Sequence, residues 1–213
     1  MAGIEKKYTP REEFINAVTH AIGSLLSVAG IFYILQCKMV KNQAWGMAAG
    51  VFYVASLIFM FSCSALYHSC TDSERRKFLR QLDHCAIFFL ITGSYAPLLY
   101  SVSRDLTGVV IFILLVLLSI AGTLGRFLHW QSLRKIEIVL YVIMGWCCVA
   151  IGGKLIRQLP ATLLWLLLGG GIAYTAGIAA YIKRREFSHA IWHLFVLAGA
   201  ALQFFAIAGA LNL

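Results

Sequence analysis

Apolar positions in this chain neither alternate with polar ones nor gather into one-sided stripes; they run on in long, unbroken stretches. A helix needs about 20 such residues to cross the hydrocarbon core of a bilayer. Seven stretches meet or approach that length: 14–36, 45–68, 83–100, 106–125, 136–153, 161–182 and 189–211. Backbone polar groups in lipid must be satisfied within the spanning element. Continuous apolar runs therefore predict helices, where a barrel would show alternation. The third and fifth stretches are the shortest and carry polar residues. The connections are too short to hold a second domain, so the expectation is an all-α membrane protein with one seven-helix bundle over residues 1–213. The first stretch is longer than the apolar part of a cleavable signal and has no small-x-small cleavage site, so it reads as a retained first span.

Composition agrees with this reading. The chain is 61% hydrophobic and 13% charged, whereas soluble domains are about half apolar and a quarter charged. The excess apolar surface must face lipid. A net charge of +9 would suit a nucleic-acid partner if it were clustered, but the charge is distributed by loop. Lys6, Lys7, Arg11, Arg75, Arg76, Lys77, Arg80, Arg126, Arg134, Lys135, Lys183, Arg184 and Arg185 fall on one side of a seven-span topology. Lys38, Lys41, Arg104, Lys154 and Arg157 fall on the other. Lys/Arg-rich loops stay cytoplasmic, which puts the amino terminus inside and the carboxyl terminus outside a plasma (bacterial inner) membrane. The basic residues then set topology and touch anionic lipid, with no role in nucleic-acid binding. The pattern specifies no oligomer.

Six cysteines, Cys37, Cys63, Cys70, Cys85, Cys147 and Cys148, show no C-x-x-C spacing and lie mostly within spans. They read as packing residues. Gly169, Ala173 and Gly177 form a small-x-x-x-small stripe suited to close helix packing. Pro97 is expected to end or kink the third span.

Ionisable groups inside spans are costly and mark functional sites. His189 and His193 open the seventh span at i, i+4, which stacks two imidazoles on one helix face. Alone, the pair fits an interfacial hydrogen-bonded arrangement as well as two metal ligands. His68 closes the second span and Asp83 opens the third, on the same side of the predicted topology. Three imidazoles and a carboxylate from three spans thus meet at one depth. That convergence points to a metal, with zinc the expected cofactor: His68, His189 and His193 as ligands and a fourth position open, as in catalytic sites. Zinc lowers the pKa of bound water to near 7. Asp83 is then a ligand, or the group that orients this water or a ligand imidazole. Ser64, one turn before His68, either donates to a polarised carbonyl or back-bonds to its own helix. Glu13, Asn16 and His20 share a face at the same end of the first span and are expected behind the ligands. Asn16 and Thr19 alternatively serve the helix start, and Glu13 its positive end. His84 points away from Asp83, and His129 sits in a loop.

These residues lie in a recognisable order: Glu13-Phe-Ile-Asn16-Ala-Val-Thr19-His20-Ala-Ile-Gly23, then Ser64-Ala-Leu-Tyr-His68, then Leu82-Asp83 with Gly93-Ser94-Tyr95-Ala-Pro97, and last His189-Ala-Ile-Trp-His193. The series resembles the progesterone and adipoQ receptor family, and within it the bacterial hemolysin III branch. The resemblance covers nearly the whole chain. It implies a zinc ion near the cytoplasmic face held by His68, His189 and His193, with Asp83 acting through water and Ser64 nearby. The wider superfamily includes alkaline ceramidases, so it also implies hydrolysis of lipid amides. The long cytosolic region of the animal receptors has no counterpart before Glu13, which argues against hormone signalling. The leading expectation is a zinc-dependent intramembrane hydrolase acting on a lipid. A membrane sensor or receptor with structural zinc is the alternative. A pore-forming cytolysin follows from the hemolysin name alone, and the spans lack a polar run to line a channel.

Overall fold

The structure is a computed structural model that describes residues 8–183 and 185–213, the side chain of Arg134 excepted. Lys6, Lys7 and Arg184 of the charge count lie outside the described residues. The regular structure is helical: α1 (Pro10–Ile34), a short α2 (Lys38–Asn42), α3 (Ala44–Ser69), α4 (Ser73–Val102), α5 (Leu106–Phe127), α6 (Gln131–Gly145), a 3-10 turn (Cys147–Ile151), α7 (Gly152–Gln158), α8 (Ala161–Lys183) and α9 (Ser188–Ala210). Seven spans are long and apolar enough to cross a membrane, with Lys135–Gln158 counted as one.

Local sequence explains the helix starts. Thr9 caps α1 by accepting from Glu12 N, and the Glu12 carboxylate accepts from Thr9 N, a reciprocal capping box with Pro10 in the first turn. α1 thus begins four residues before the expected 14, and Asn16 and Thr19 lie too far inside it to serve its start. Asp72 caps α4 through Arg75 N, and Asp105 caps α5 through Gly108 N.

One expectation narrows and another needs correction. Of the two outcomes expected at Pro97, it does not end its helix; α4 runs on to Val102, 30 residues in all. The lost N–H removes one bond of the ladder, and packing on both sides holds the rest. The fifth span, expected as one helix over 136–153, breaks after Gly145 and restarts at Gly152. Tyr95 explains how the break is tolerated: its hydroxyl donates to Gly145 O at 2.8 Å and accepts from Cys148 N at 2.7 Å. One side chain replaces backbone bonds that the helix gives up at membrane depth.

α4 is the central element, with α3, α5, α6, α7 and α9 packed around it. Its position accounts for a buried polar residue such as Thr92, whose hydroxyl pairs with Ser119 of α5 at 2.7 Å. One apolar cluster fills the space between α1, α3, α4 and α9 around Tyr53, Leu57, Phe61 and Ile207. A second joins α4 to α5, the broken span and α8 around Phe88, Leu115, Met144 and Ile151. α8 packs along α9 on its small residues: a Cβ at Gly177 would lie 2.8 Å from Phe195 Cβ. Lipid-facing positions such as Phe14, Leu25 and Phe32 are exposed. The cysteines are free thiols. Between the two apolar clusters lies a cavity of about 650 Å³.

Candidate metal centre

His68 occupies the last turn of α3, and His189 and His193 the first turns of α9. One nitrogen from each lies within 4.8 Å of the other two. His68 and His193 are fully buried, His189 partly. This histidine group could bind a metal ion.

Hydrogen bonding sets which nitrogens are offered. His68 Nδ1 lies 2.6 Å from Glu13 Oε2. A carboxylate only accepts, so this nitrogen carries the proton and Nε2 keeps its lone pair. His193 Nδ1 is 3.1 Å from the Asn16 carbonyl oxygen, and the same argument leaves its Nε2 bare. The Nε2 atoms of His68 and His189 face each other at 3.2 Å, a contact that a shared proton or a shared cation satisfies. Two nitrogens bound to zinc at about 2.0–2.1 Å in a tetrahedron stand about 3.3 Å apart. The donor set and this spacing fit such an ion.

The support for the three histidines comes from α1, along the face that carries Glu13, Asn16 and His20. Glu13 holds His68 with one oxygen and pairs with Arg76 Nη2 through the other. Arg76 also donates to Tyr67 O at 3.2 Å and Cys70 O at 3.0 Å, so it caps the end of α3 while it holds the carboxylate. Asn16 acts through its main-chain oxygen. Thr19 Oγ1 bonds back to Ile15 O and Asn16 O and sits 3.3 Å from His193 Nδ1. His20 stacks on His193, ring centroids 3.6 Å apart and 9° from parallel, and takes no place among the three converging nitrogens. Its two ring nitrogens and the Asn16 amide are buried without hydrogen-bond partners. On the loop side Tyr8 lies over His189 and His68, at centroid distances of 4.9 and 5.9 Å. Burial pushes its phenol above the ordinary value, and Tyr181 nearby adds to the effect.

Asp83 and Ser64 border the cavity together with His189, His193 and His20. Asp83 is not one of the three converging groups. Glu13, from a different helix, is a carboxylate bonded to a histidine nitrogen of the trio. Ser69 back-bonds to Ala65 O at 2.7 Å; Ser64, one turn earlier, contributes to the cavity wall. Away from this polar end the cavity is lined by Leu90, Ile91, Leu98, Val142, Leu164 and Val196, among others.

Sequence reasoning missed three features. Arg76 reads in the sequence only as a loop charge; it lies seven residues after the end of α3, in the first turn of α4, and no local motif marks it as a cap. Tyr8 and Glu12 carried no signal beyond the capping box. The third is an ionic network on the same cavity wall: Arg126 Nη1 donates to Glu137 Oε2 at 3.0 Å, His84 Nδ1 stands 3.4 Å from that oxygen, and Tyr141 OH donates to Glu137 Oε1 at 2.9 Å. Arg126 and Glu137 are 7% and 6% exposed, so each balances a charge the interior would otherwise not hold.

A sequence profile of haemolysin-III-related proteins matches residues 8–204. The Hemolysin-3 homolog of Bacillus subtilis is 31% identical over 201 residues, 94% of each chain. Hemolysin-3 of Bacillus cereus is 33% identical over 198 residues, which covers 92% of this chain and 90% of that one. The adiponectin receptor protein of Drosophila melanogaster is 25% identical over 218 residues, 90% of this chain but 49% of the receptor.

Proposed function

The chain belongs to the haemolysin-III-related family, within the progesterone and adipoQ receptor group, and we propose that it is a zinc-dependent hydrolase of lipid amides. The observation that carries this reading is one juxtaposition: of three imidazoles with converging nitrogens, His189 and His193 line the polar end of a 650 Å³ cavity whose remainder is mostly apolar, and His68 converges on them. That volume lies in the range of small-molecule sites, about 300–1,000 Å³. Zinc is the ion that neutral imidazoles at this spacing suit, held by His68, His189 and His193. The protein sits as one seven-helix domain in a plasma membrane, amino terminus inside, as the uneven loop charge supports.

When bound, the ion supplies a Lewis acid and an acidified water at neutral pH. The chain supplies the rest. Glu13, itself held by Arg76, fixes the His68 ring and its tautomer. The Asn16 carbonyl does the same for His193. The apolar walls take the acyl chain of the lipid and exclude bulk water, which strengthens every charge interaction at the polar end. Asp83 accepts the proton of the attacking water and returns it to the leaving amine. The Ser64 hydroxyl donates to the carbonyl oxygen as negative charge develops there. Purified protein assayed against ceramide-like amides is expected to release fatty acid, to lose activity with chelator, and to lose it in His68→Ala. Absence of turnover, or turnover unchanged by His68→Ala, sinks the proposal.

A second reading has its own support. The three histidines come from α3 and α9 and are buttressed from α1, so an ion there also ties the bundle together. On that reading the protein senses lipid by helix rearrangement and the zinc is structural.

A further inference from the structure

The way in for the ion is a separate question from the way in for the lipid. A bare cation does not cross hydrocarbon, and His189, the partly exposed member of the trio, offers it a path from the loop face. There the amino-terminal turn of α1 stands over the site. Tyr8 covers His189 with rings tilted by 34° and meets His68 edge-on. Tyr181 flanks His189 from α8, at 5.9 Å. Glu12, 3% exposed, joins the two segments that bound this opening. One carboxylate oxygen accepts from Thr9 N at 2.9 Å, next to Tyr8; the other accepts from Phe187 N at 3.0 Å, immediately before α9. Phe187 holds φ at 56°, a left-handed conformation that a phenylalanine rarely adopts. That turn sets where α9 begins, and hence where His189 points.

We propose that Tyr8 and Glu12 form the loop-side closure of the histidine site: Tyr8 covers the ion's path, and Glu12 locks the α1 start to the α9 start. Both are positioning residues, with no contact to a reacting lipid. The closure has a chemical logic. Both Glu12 oxygens take backbone N–H donors from segments far apart in sequence, and a buried carboxylate makes strong bonds of this kind. Release of the ion then requires the amino-terminal turn to swing away, which breaks the bond to Phe187 and uncovers His189 in one motion.

The inference rests on the metal reading above, and the test separates the two. Purified protein in detergent is loaded with Zn²⁺, its metal content is measured, and release into excess chelator is followed with a zinc-sensitive dye. Tyr8→Ala is expected to release the ion at least tenfold faster than wild type, and Glu12→Gln to do likewise, because an amide cannot accept from both backbone donors without turning its NH₂ toward one. Tyr8→Phe keeps the ring and is expected to release at the wild-type rate. Tyr8 lies outside the spans, so the Tyr8→Ala arm stands even where Glu12→Gln fails to fold. Wild-type binding with unchanged release from Tyr8→Ala overturns the closure alone. Wild-type protein that takes up no zinc overturns the metal reading and the closure with it.

Discussion

Glu13 shows most clearly how a single residue sets the chemistry. It stands 55 positions before His68 in sequence yet only 2.6 Å from its Nδ1, and its second oxygen is spoken for by Arg76. Replacing it with glutamine keeps the shape and removes the charge, so the His68 Nδ1–H loses its charge-assisted bond. Partners of this kind are typically worth about 10–100-fold in metal affinity. Glu13→Gln is therefore expected to weaken zinc binding by about that factor, read by competition titration with a chelating dye; affinity equal to wild type refutes the role. The residue was legible as a member of the α1 face with Asn16 and His20. Its partner was not, because which imidazole meets which carboxylate depends on helix crossings that no local spacing encodes. Asp83 lines the cavity wall together with His189 and His193.

Among the elements, the start of α5 carries its own titration. The Lys154 ammonium donates to Asp105 at 2.5 Å, and the Ser103 hydroxyl and Gly108 N–H donate as well. These bonds hold the carboxyl down to about 2, chiefly through Lys154. A carboxyl depressed in the folded state contributes its stabilisation above its unfolded pKa, near 4, and loses it as pH falls through the folded value. Melting temperature measured against pH should show Asp105→Ala less stable than wild type at pH 7, with the gap narrowing between about 4 and 2. A gap that does not change with pH refutes it. The cap also links the α4–α5 turn to the end of the broken span, through Lys154 of α7. Helix starts of this sort follow from short motifs and were readable. The break in the fifth span was not: Tyr95 lies some 50 residues upstream of the atoms it satisfies.

At the scale of the whole molecule, the proposed metal reading couples ion binding to bundle stability, because the three histidines join α3 to α9. A ligand present at about 1,000 times its Kd adds about 4 kcal/mol to the folded state. Chelator is thus expected to lower the melting temperature in detergent by several degrees. A drop together with turnover supports the hydrolase, a drop without turnover supports the sensor, and no drop removes the structural tie. From sequence alone, the number of spans, the helical class, the family resemblance and the meeting of His68, His189 and His193 were all legible. Uninterrupted apolar length and loop charge act locally along the chain and need no partner to be read. Tertiary structure alone decided that α4 is central, that Glu13 holds His68, that Tyr8 stands over the site, and that an apolar cavity opens beside it. Each of these depends on how helices distant in sequence cross. In lipid, packing and paired polar groups drive that choice, and hydropathy along one helix carries little of it.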